Sequence, residues 1–118
     1  NDYMQTKARG ATLFGGVSDD ALVVKHRGGV ANGGYHDDLI TLRNSGVAIG
    51  GPGDDMLRSF SRKRTLLIGG RGHDLIAASG RAWIVVSDGQ ADRVVCRGKQ
   101  VRVKADRKDR LKGACIRI

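Results

Sequence analysis

The chain has 118 residues, the size of one domain and too short for a catalytic domain with a separate cofactor domain. Only 4% of the residues are aromatic while 18 are Gly, so small apolar side chains must supply the packing, and the absence of Glu among 12 acidic residues argues against long surface helices. The net charge of +9 permits attraction to nucleic acid, anionic membranes or acidic polymers without choosing among them.

The apolar runs are short, and the longest of them cover residues 21–24 and 82–86. A membrane-spanning helix needs roughly 18 apolar residues, so no transmembrane segment is predicted. Asn1 stands where an initiator Met would be and no leader pattern follows it, which is consistent with a mature, secreted form. Residues 1–10 match no repeat and are predicted to form an N-terminal arm.

A motif rich in Gly and Asp then recurs along the chain. Four clear copies begin at Gly15, Gly33, Gly50 and Gly69, and a decayed fifth copy begins at Ser87. The last Asp of each copy stands at position 20, 38, 55, 74 or 92, so the intervals are 18, 17, 19 and 18 residues. A fixed period of this length indicates one solenoid coil per repeat.

Apolar residues alternate on both sides of each motif, which predicts two short strands per coil. After the Asp, the inward pairs are Leu22 and Val24, Ile40 and Leu42, Leu57 and Ser59, Ile76 and Ala78, and Val94 and Cys96. Before the glycines, the inward pairs are Thr12 and Phe14, Val30 and Asn32, Val47 and Ile49, Leu66 and Ile68, and Ile84 and Val86. Asn32 and Ser59 then need hydrogen-bond partners inside.

Stacking these strands about 4.8 Å apart predicts an all-β fold, a parallel β-roll or β-solenoid, over residues 11–95. The alternative is an antiparallel β-sandwich with Gly and Asp hairpins, which five copies in one register disfavour.

The copies at 50–58 and 69–77 match the pattern GGxGxDxUx at every defined position. The chain therefore resembles the RTX, or haemolysin-type calcium-binding, β-roll family over residues 13–95. Its closing segment is similar to that of small secreted calcium-binding proteins from actinobacteria. The resemblance implies a right-handed roll with Ca²⁺ between neighbouring turns. Its ligands would be the carboxylates of Asp20, Asp38, Asp55 and Asp74 and the carbonyls of Gly51, Gly53, Gly70 and Gly72.

The chain also departs from this family pattern. Ser18, His36 and Gln90 replace the glycine at position four of their copies, which is expected to hinder the backbone conformation that an ion needs. The family repeats its motif every nine residues, whereas the alternate turns here have no Asp, so one edge at most binds Ca²⁺. The alternative is that the Asp residues only hold the turns by side-chain to backbone hydrogen bonds.

The alternate turns carry cations instead of Asp and predict a basic edge opposite the Asp turns. Its candidate anion-binding residues are Lys25, Arg27, Arg43, Arg62, Arg64 and Arg81. They are either solvated turn charges or a surface for an acidic cell-wall polymer or for the acidic edge of a second copy. The chain has few aromatic platforms for stacking bases, so specific nucleic-acid binding is disfavoured.

Residues 96–118 form a basic C-terminal cap. Cys96 and Cys115 are 19 residues apart, about one coil, so their Cα atoms can lie within the roughly 4.4 to 6.8 Å that a disulfide requires. We expect a disulfide, with two buried thiols as the alternative. A disulfide would support an oxidising, extracellular compartment.

No serine or histidine lies in a recognisable catalytic motif, so neither an enzyme nor a small-molecule substrate is expected. The leading hypothesis is an extracellular, non-catalytic calcium-binding module in which Ca²⁺ is structural. One alternative is a self-assembling solenoid subunit of a filament or surface structure with few or no ions, because the end coils leave open strand edges. Another is a polyanion-binding module that uses the basic edge.

Overall fold

The computed structural model describes residues 3–17, 19–86 and 90–118, and only the backbone of Lys99. These residues form twelve short β-strands and no helix, and within them no helix is long and apolar enough to cross a membrane. The strands are β1 (Tyr3–Gln5), β2 (Thr12–Phe14), β3 (Ala21–Val24), β4 (Gly29–Asn32), β5 (Leu39–Leu42), β6 (Gly46–Ile49), β7 (Met56–Ser59), β8 (Thr65–Ile68), β9 (Leu75–Ala78), β10 (Arg81–Val85), β11 (Arg93–Lys104) and β12 (Arg110–Arg117).

The strands build two parallel walls. Wall 1 stacks β1, β3, β5, β7 and β9, and wall 2 stacks β2, β4, β6, β8 and β10. The long strand β11 belongs to both walls, since residues 93–96 pair with β9 and residues 100–104 pair with β10. Strand β12 continues the stack on β11. The result is a β-solenoid of about 6 turns with coils of about 18 residues, which confirms the predicted fold class.

The interior of wall 1 follows the predicted pattern. All five pairs predicted after the motif Asp, from Leu22 and Val24 to Val94 and Cys96, are buried. Ser59 is among them, and its hydroxyl lies 3.1 Å from the buried hydroxyl of Thr65. The hydrogen-bond partner that Ser59 requires therefore comes from the opposite wall.

The predicted interior of wall 2 is wrong in four of its five coils. The buried residues are Ala31, Ala48 and Leu67, whereas their neighbours on either side face outward. Thr12 and Phe14, Val30 and Asn32, Val47 and Ile49, and Leu66 and Ile68 all lie on the outer surface or at its boundary. A shift of one residue turns every side chain of a strand to the other face.

In the fifth coil the predicted pair, Ile84 and Val86, is buried. Asn32, now on the outer side, accepts a hydrogen bond from the Gly34 N–H through its Oδ1 at 3.0 Å. It therefore caps a turn and needs no partner in the core.

Both ends of the chain join the stack. Tyr3–Gln5, in the segment expected to be an arm, pairs with β3, whereas Asn1 and Asp2 lie outside the described residues. At the other end Cys96 and Cys115 form a disulfide with a Cα to Cα distance of 5.2 Å, which confirms the expected pairing. Cys96 lies in wall 1 and Cys115 pairs with Val101 of wall 2, so the bond ties the walls together across the end of the core.

Candidate metal centre along the acidic edge

The motif turns stack on one edge of the solenoid, which we call the acidic edge. In each coil the turn leads from wall 2 back to wall 1 and ends on a buried Asp. These six residues, the inner Asp ladder, are Asp20, Asp38, Asp55, Asp74, Asp92 and Asp109. Their repeated burial follows from the coil period, because each strand of wall 1 begins immediately after its Asp.

Each inner Asp after Asp20 holds the coil that precedes it. The Oδ1 of Asp38 accepts a hydrogen bond from the Asp20 N–H at 2.9 Å, and the Oδ1 of Asp55 accepts one from the Asp38 N–H at 2.8 Å. The same bond recurs at 2.7 to 2.9 Å through Asp74, Asp92 and Asp109. One carboxylate oxygen of each residue thus has the side-chain to backbone role that the alternative interpretation predicted.

For Asp38 and Asp55, in the middle of the ladder, the second carboxylate oxygen accepts no such hydrogen bond from the part of the chain that the structure describes. The Oδ2 atoms of Asp38 and Asp55 are buried and have no hydrogen-bond partner among the described residues. A buried carboxylate oxygen without a donor is costly, since desolvation removes the water that it would otherwise bind. These two atoms therefore mark where the acidic edge lacks a hydrogen-bond donor or a cation.

The first glycine of the motif provides room for these oxygens. The Oδ2 of Asp55 lies 2.6 Å from the position that a Cβ on Gly50 would take, and the carbonyl oxygen of Gly69 lies 2.5 Å from the same position. The Oδ2 of Asp38 lies 2.5 Å from the corresponding position on Gly33. Any larger residue at Gly50 would collide with both oxygens, so the glycine keeps a carboxylate and a carbonyl from adjacent coils facing one space.

Burial also changes the ionisation of these two residues. Desolvation is the largest cause and raises the pKa of Asp55 from its ordinary 3.8 to about 8. That value already includes a lowering by the hydrogen bond from the Asp38 N–H and smaller rises from the charges of Asp38, Asp37 and Asp54. Desolvation likewise raises the pKa of Asp38 to about 6. Without a cation, the folded chain therefore holds a proton on Asp55 near neutral pH, whereas Asp38 is mostly ionised.

The metal-free protein is expected to lose stability as the pH rises from about 4 to about 8. In the unfolded chain both carboxyls ionise near 3.8, whereas the folded state keeps their protons to about 6 and 8. Between these values the folded state binds more protons, so the free energy of unfolding falls with pH. Urea unfolding in EGTA at several pH values measures it. A midpoint that rises over this range would contradict the assignment, and the Asp38→Asn/Asp55→Asn variant should flatten the slope.

A second, exposed row of Asp residues runs beside the ladder and bonds in the opposite direction. The Oδ1 of Asp19 accepts from the Asp37 N–H at 2.9 Å, and the Oδ1 of Asp37 accepts from the Asp54 N–H at 2.7 Å. The row ends at His73, whose N–H donates to Asp54 at 2.8 Å. We call Asp19, Asp37 and Asp54 the outer Asp row. Water reaches it, so its charges are less costly than those inside.

The residues that replace the glycine at position four of the motif do not all behave in the same way. His36 has a φ of 74° and follows the left-handed path of Gly53 and Gly72, at 119° and 107°, so its side chain does not prevent this turn conformation. Gln90 accepts a hydrogen bond from the Gly72 N–H through its Oε1 at 2.5 Å. Ser18 lies outside the described residues, as do Ser87, Asp88 and Gly89 of the fifth copy.

His36→Gly is expected to stabilise the protein by about 0.5 to 1 kcal/mol. A left-handed residue with a Cβ costs roughly 1 to 2 kcal/mol, part of which the greater chain entropy of Gly cancels. The midpoint of urea unfolding measures the gain. His26→Gly is the matched control, because His26 is exposed and has no positive φ. Equal effects of the two substitutions would show that relief of strain is not the cause.

The predicted ligand residues therefore meet along one edge. Asp20, Asp38, Asp55 and Asp74 are buried in line, and Gly51, Gly53, Gly70 and Gly72 lie in the same turns. The repeat predicts Asp92 as the last Asp of the fifth copy, although not as a ligand, and Asp109 was missed, although the 17-residue interval between them continues the period. Sequence reasoning also missed the outer Asp row, whose signal is the paired Asp in the first three copies.

The cations lie on the opposite edge. Lys25, Arg27, Arg43, Arg62, Arg64 and Arg81 are all exposed there. The Thr6 hydroxyl accepts hydrogen bonds from the N–H groups of Lys25 and His26, at 2.9 and 3.2 Å, and thereby anchors the first of these turns. Arg43 also lies over the Phe60 ring at 5.9 Å. This arrangement can attract an anion.

The inner Asp ladder offers an ion carboxylate oxygens. Within the described part of the chain, no three side chains of His, Cys, Asp or Glu converge on one metal position. An ion beside Asp38 or Asp55 would therefore need backbone carbonyls together with the carboxylates. That donor set fits Ca²⁺, which takes six to eight oxygens at roughly 2.3 to 2.6 Å.

No protein-family model, curated protein or solved structure gives a significant match to the chain. The case for a function therefore depends on the acidic edge itself.

Proposed function

We propose that this protein is a non-catalytic, calcium-binding β-solenoid in which Ca²⁺ inside the acidic edge stabilises the stacking of the coils. The observation that carries the proposal is the pair of buried Oδ2 atoms of Asp38 and Asp55, which have no hydrogen-bond donor. A cation near them would supply the missing partner and offset the repulsion between neighbouring carboxylates. The RTX-like motif supports the same assignment, because it places one Asp per coil at this edge.

The chemistry of the edge favours Ca²⁺ over other common metals. Zn²⁺ prefers nitrogen and sulfur ligands, and both cysteines are joined in the disulfide. Mg²⁺ requires near-ideal octahedral geometry and retains several waters, which a narrow, buried turn accommodates poorly. Ca²⁺ accepts an irregular set of carboxylate and carbonyl oxygens. The inner Asp ladder offers such a set between successive turns.

Bound Ca²⁺ would couple folding to its concentration. A ligand that binds only the folded state at 100 times its Kd adds about 2.7 kcal/mol to the free energy of unfolding. Extracellular calcium modules bind with a Kd of roughly 0.1 to 1 mM, so they load outside cells and not in the cytosol. The Cys96–Cys115 disulfide supports the same compartment, because such bonds persist in oxidising surroundings.

Thermal unfolding followed by circular dichroism tests this function. The protein is melted in EGTA, then in millimolar CaCl₂, and then in MgCl₂ at the same ionic strength. We expect Ca²⁺ to raise the Tm by several degrees and Mg²⁺ to have little effect. Identical melting curves in EGTA and CaCl₂ would overturn the proposal, and an equal response to both metals would replace specific binding by general charge screening.

A further inference from the structure

The outer side of wall 2 is an apolar surface. Because the pairing register places alternate residues of successive strands side by side, Val47, Leu66 and Trp83 form one row and Ile49, Ile68 and Val85 form a second. All six face away from the core. The alternation in the sequence predicts four of them inside, so this surface is seen only in the structure. The surface is apolar because the one-residue shift turns these side chains from the core to the outer face.

Large apolar side chains are exposed on this surface. Phe14 is 65% exposed, Trp83 46% and Ile116 44%. Scattered apolar residues are normal on a protein surface, whereas these side chains accompany two continuous apolar rows on β6, β8 and β10. Three strand segments about 4.8 Å apart, each with about four residues at 3.3 Å, give the rows an area on the order of 200 Å².

The charges on this side have one sign. Arg81, Arg102 and Lys104 are exposed at one end of the apolar rows. The strand segments of wall 2 contain no acidic residue, since the motif turns hold the Asp residues. Pairing this side with the same side of a second copy in a parallel orientation would bring cations together, which is unfavourable, and in an antiparallel orientation it would leave them without an acidic partner on wall 2. The surface therefore suits an anionic partner.

The shape of the molecule favours a flat partner with an apolar layer. The solenoid is a thin slab with extents of 35 × 28 × 15 Å, and wall 2 forms one of its broad sides. A soluble polyanion would pair with the cations but leave Trp83, Leu66 and Ile68 in water. An anionic bilayer offers phosphate groups beside an apolar interior, and Trp side chains prefer that boundary.

We propose that the outer side of wall 2 docks on the surface of an anionic lipid bilayer. Trp83 and its apolar neighbours lie at the boundary between headgroups and acyl chains, while Arg102 and Lys104 contact lipid phosphates. The protein lies flat on the membrane and does not cross it. The acidic edge stays at the side of the slab, so docking does not depend on calcium.

Vesicle binding tests the proposal with a built-in probe. Trp83 is the only tryptophan of the chain, so its fluorescence reports this surface alone. Vesicles of phosphatidylglycerol and phosphatidylcholine in equal parts are added to the protein in EGTA and in CaCl₂, with pure phosphatidylcholine vesicles in parallel. We expect sedimentation with the anionic vesicles, a blue shift of Trp83 emission, and loss of binding at high salt.

Two matched variants separate a specific surface from net charge. Arg102→Gln/Lys104→Gln removes two cations from wall 2, and Arg93→Gln/Arg110→Gln removes two from the outer side of wall 1. Each cation near an anionic bilayer contributes about fivefold to affinity, so the first variant should bind about 25-fold more weakly and the second much less so. Equal losses would overturn the proposal.

Three further outcomes would also overturn the proposal. One is vesicle binding without a shift of Trp83 emission, which would place the contact elsewhere, for instance on the basic edge. Another is binding to a soluble polyanion such as heparin as tightly as to the vesicles, which would assign the surface to polyanions. The third is no binding to anionic vesicles in either EGTA or CaCl₂. None of these bears on calcium binding, which the melting curves test separately.

Discussion

Replacing Asp38 and Asp55 together by Asn is expected to raise the free energy of unfolding in the absence of calcium and to lower it in the presence of calcium. The Oδ1 of Asn still accepts the hydrogen bond that each Asp takes from the preceding coil. At pH 8 without metal Asp38 is ionised and Asp55 is about half ionised, so the substitution removes buried charge, and in EGTA the variant should be more stable than the parent by roughly 1 to 2 kcal/mol. In saturating CaCl₂ the order should reverse, because the variant loses the roughly 2.7 kcal/mol available at 100 times the Kd.

Asp37→Asn/Asp54→Asn is the control for this experiment. It makes the same change in net charge and keeps the same kind of backbone hydrogen bond, but in the exposed outer Asp row. We expect it to change the free energy of unfolding by less than about 0.5 kcal/mol and to leave the calcium response intact. Urea titrations of both variants in EGTA and CaCl₂ give the comparison. If the outer variant loses the calcium response and the inner one keeps it, the ion binds outside the ladder.

Removal of the disulfide is the second large effect. Cys96→Ala/Cys115→Ala is expected to lower the free energy of unfolding by about 3 kcal/mol, because the bond closes a loop of 19 residues in the unfolded chain. For a domain of this size, that corresponds to a fall in Tm of roughly 10 to 20 °C. The effect should concentrate at the C-terminal end, where the bond joins the walls beside Val101.

Reduction of the parent provides the internal check. Dithiothreitol should lower its Tm toward that of the Cys96→Ala/Cys115→Ala variant and leave the Tm of the variant unchanged. An intact mass that does not rise by about two daltons on reduction would show that the thiols were free. A variant as stable as the oxidised parent would mean that β11 and β12 hold the end of the core without the bond.

The sequence predicted wall 1 well and wall 2 poorly for a physical reason. In wall 1 the strand begins directly after the motif Asp, so the turn defines the register, and Leu22, Ile40 and Leu57 are buried as expected. Strands of wall 2 are apolar at successive positions, as at Val47, Ala48 and Ile49. Alternation then cannot tell the inner face from the outer, and small Ala side chains face inward because the interior is narrow.

Part of the candidate site could likewise be predicted from the repeat. The spacing of Asp20, Asp38, Asp55 and Asp74 predicts a line of carboxylates on one edge. It cannot show that Oδ1 is used by the neighbouring coil while the Oδ2 of Asp38 and Asp55 has no donor. Those facts depend on the depth of burial and on stacking between coils, as do the raised pKa values of the two residues. His36 shows the reverse case, since a residue expected to hinder the turn adopts its left-handed backbone.

A crystal structure of the protein grown in CaCl₂, with anomalous scattering collected at long wavelength, tests the central claim most directly. We predict anomalous peaks inside the acidic edge, between successive turns and within about 2.3 to 2.6 Å of the Oδ2 of Asp38 or Asp55. Carbonyl oxygens of the neighbouring turns should complete the coordination. An edge without such peaks, in crystals soaked to millimolar calcium, would contradict the claim, as would calcium bound only to the outer Asp row.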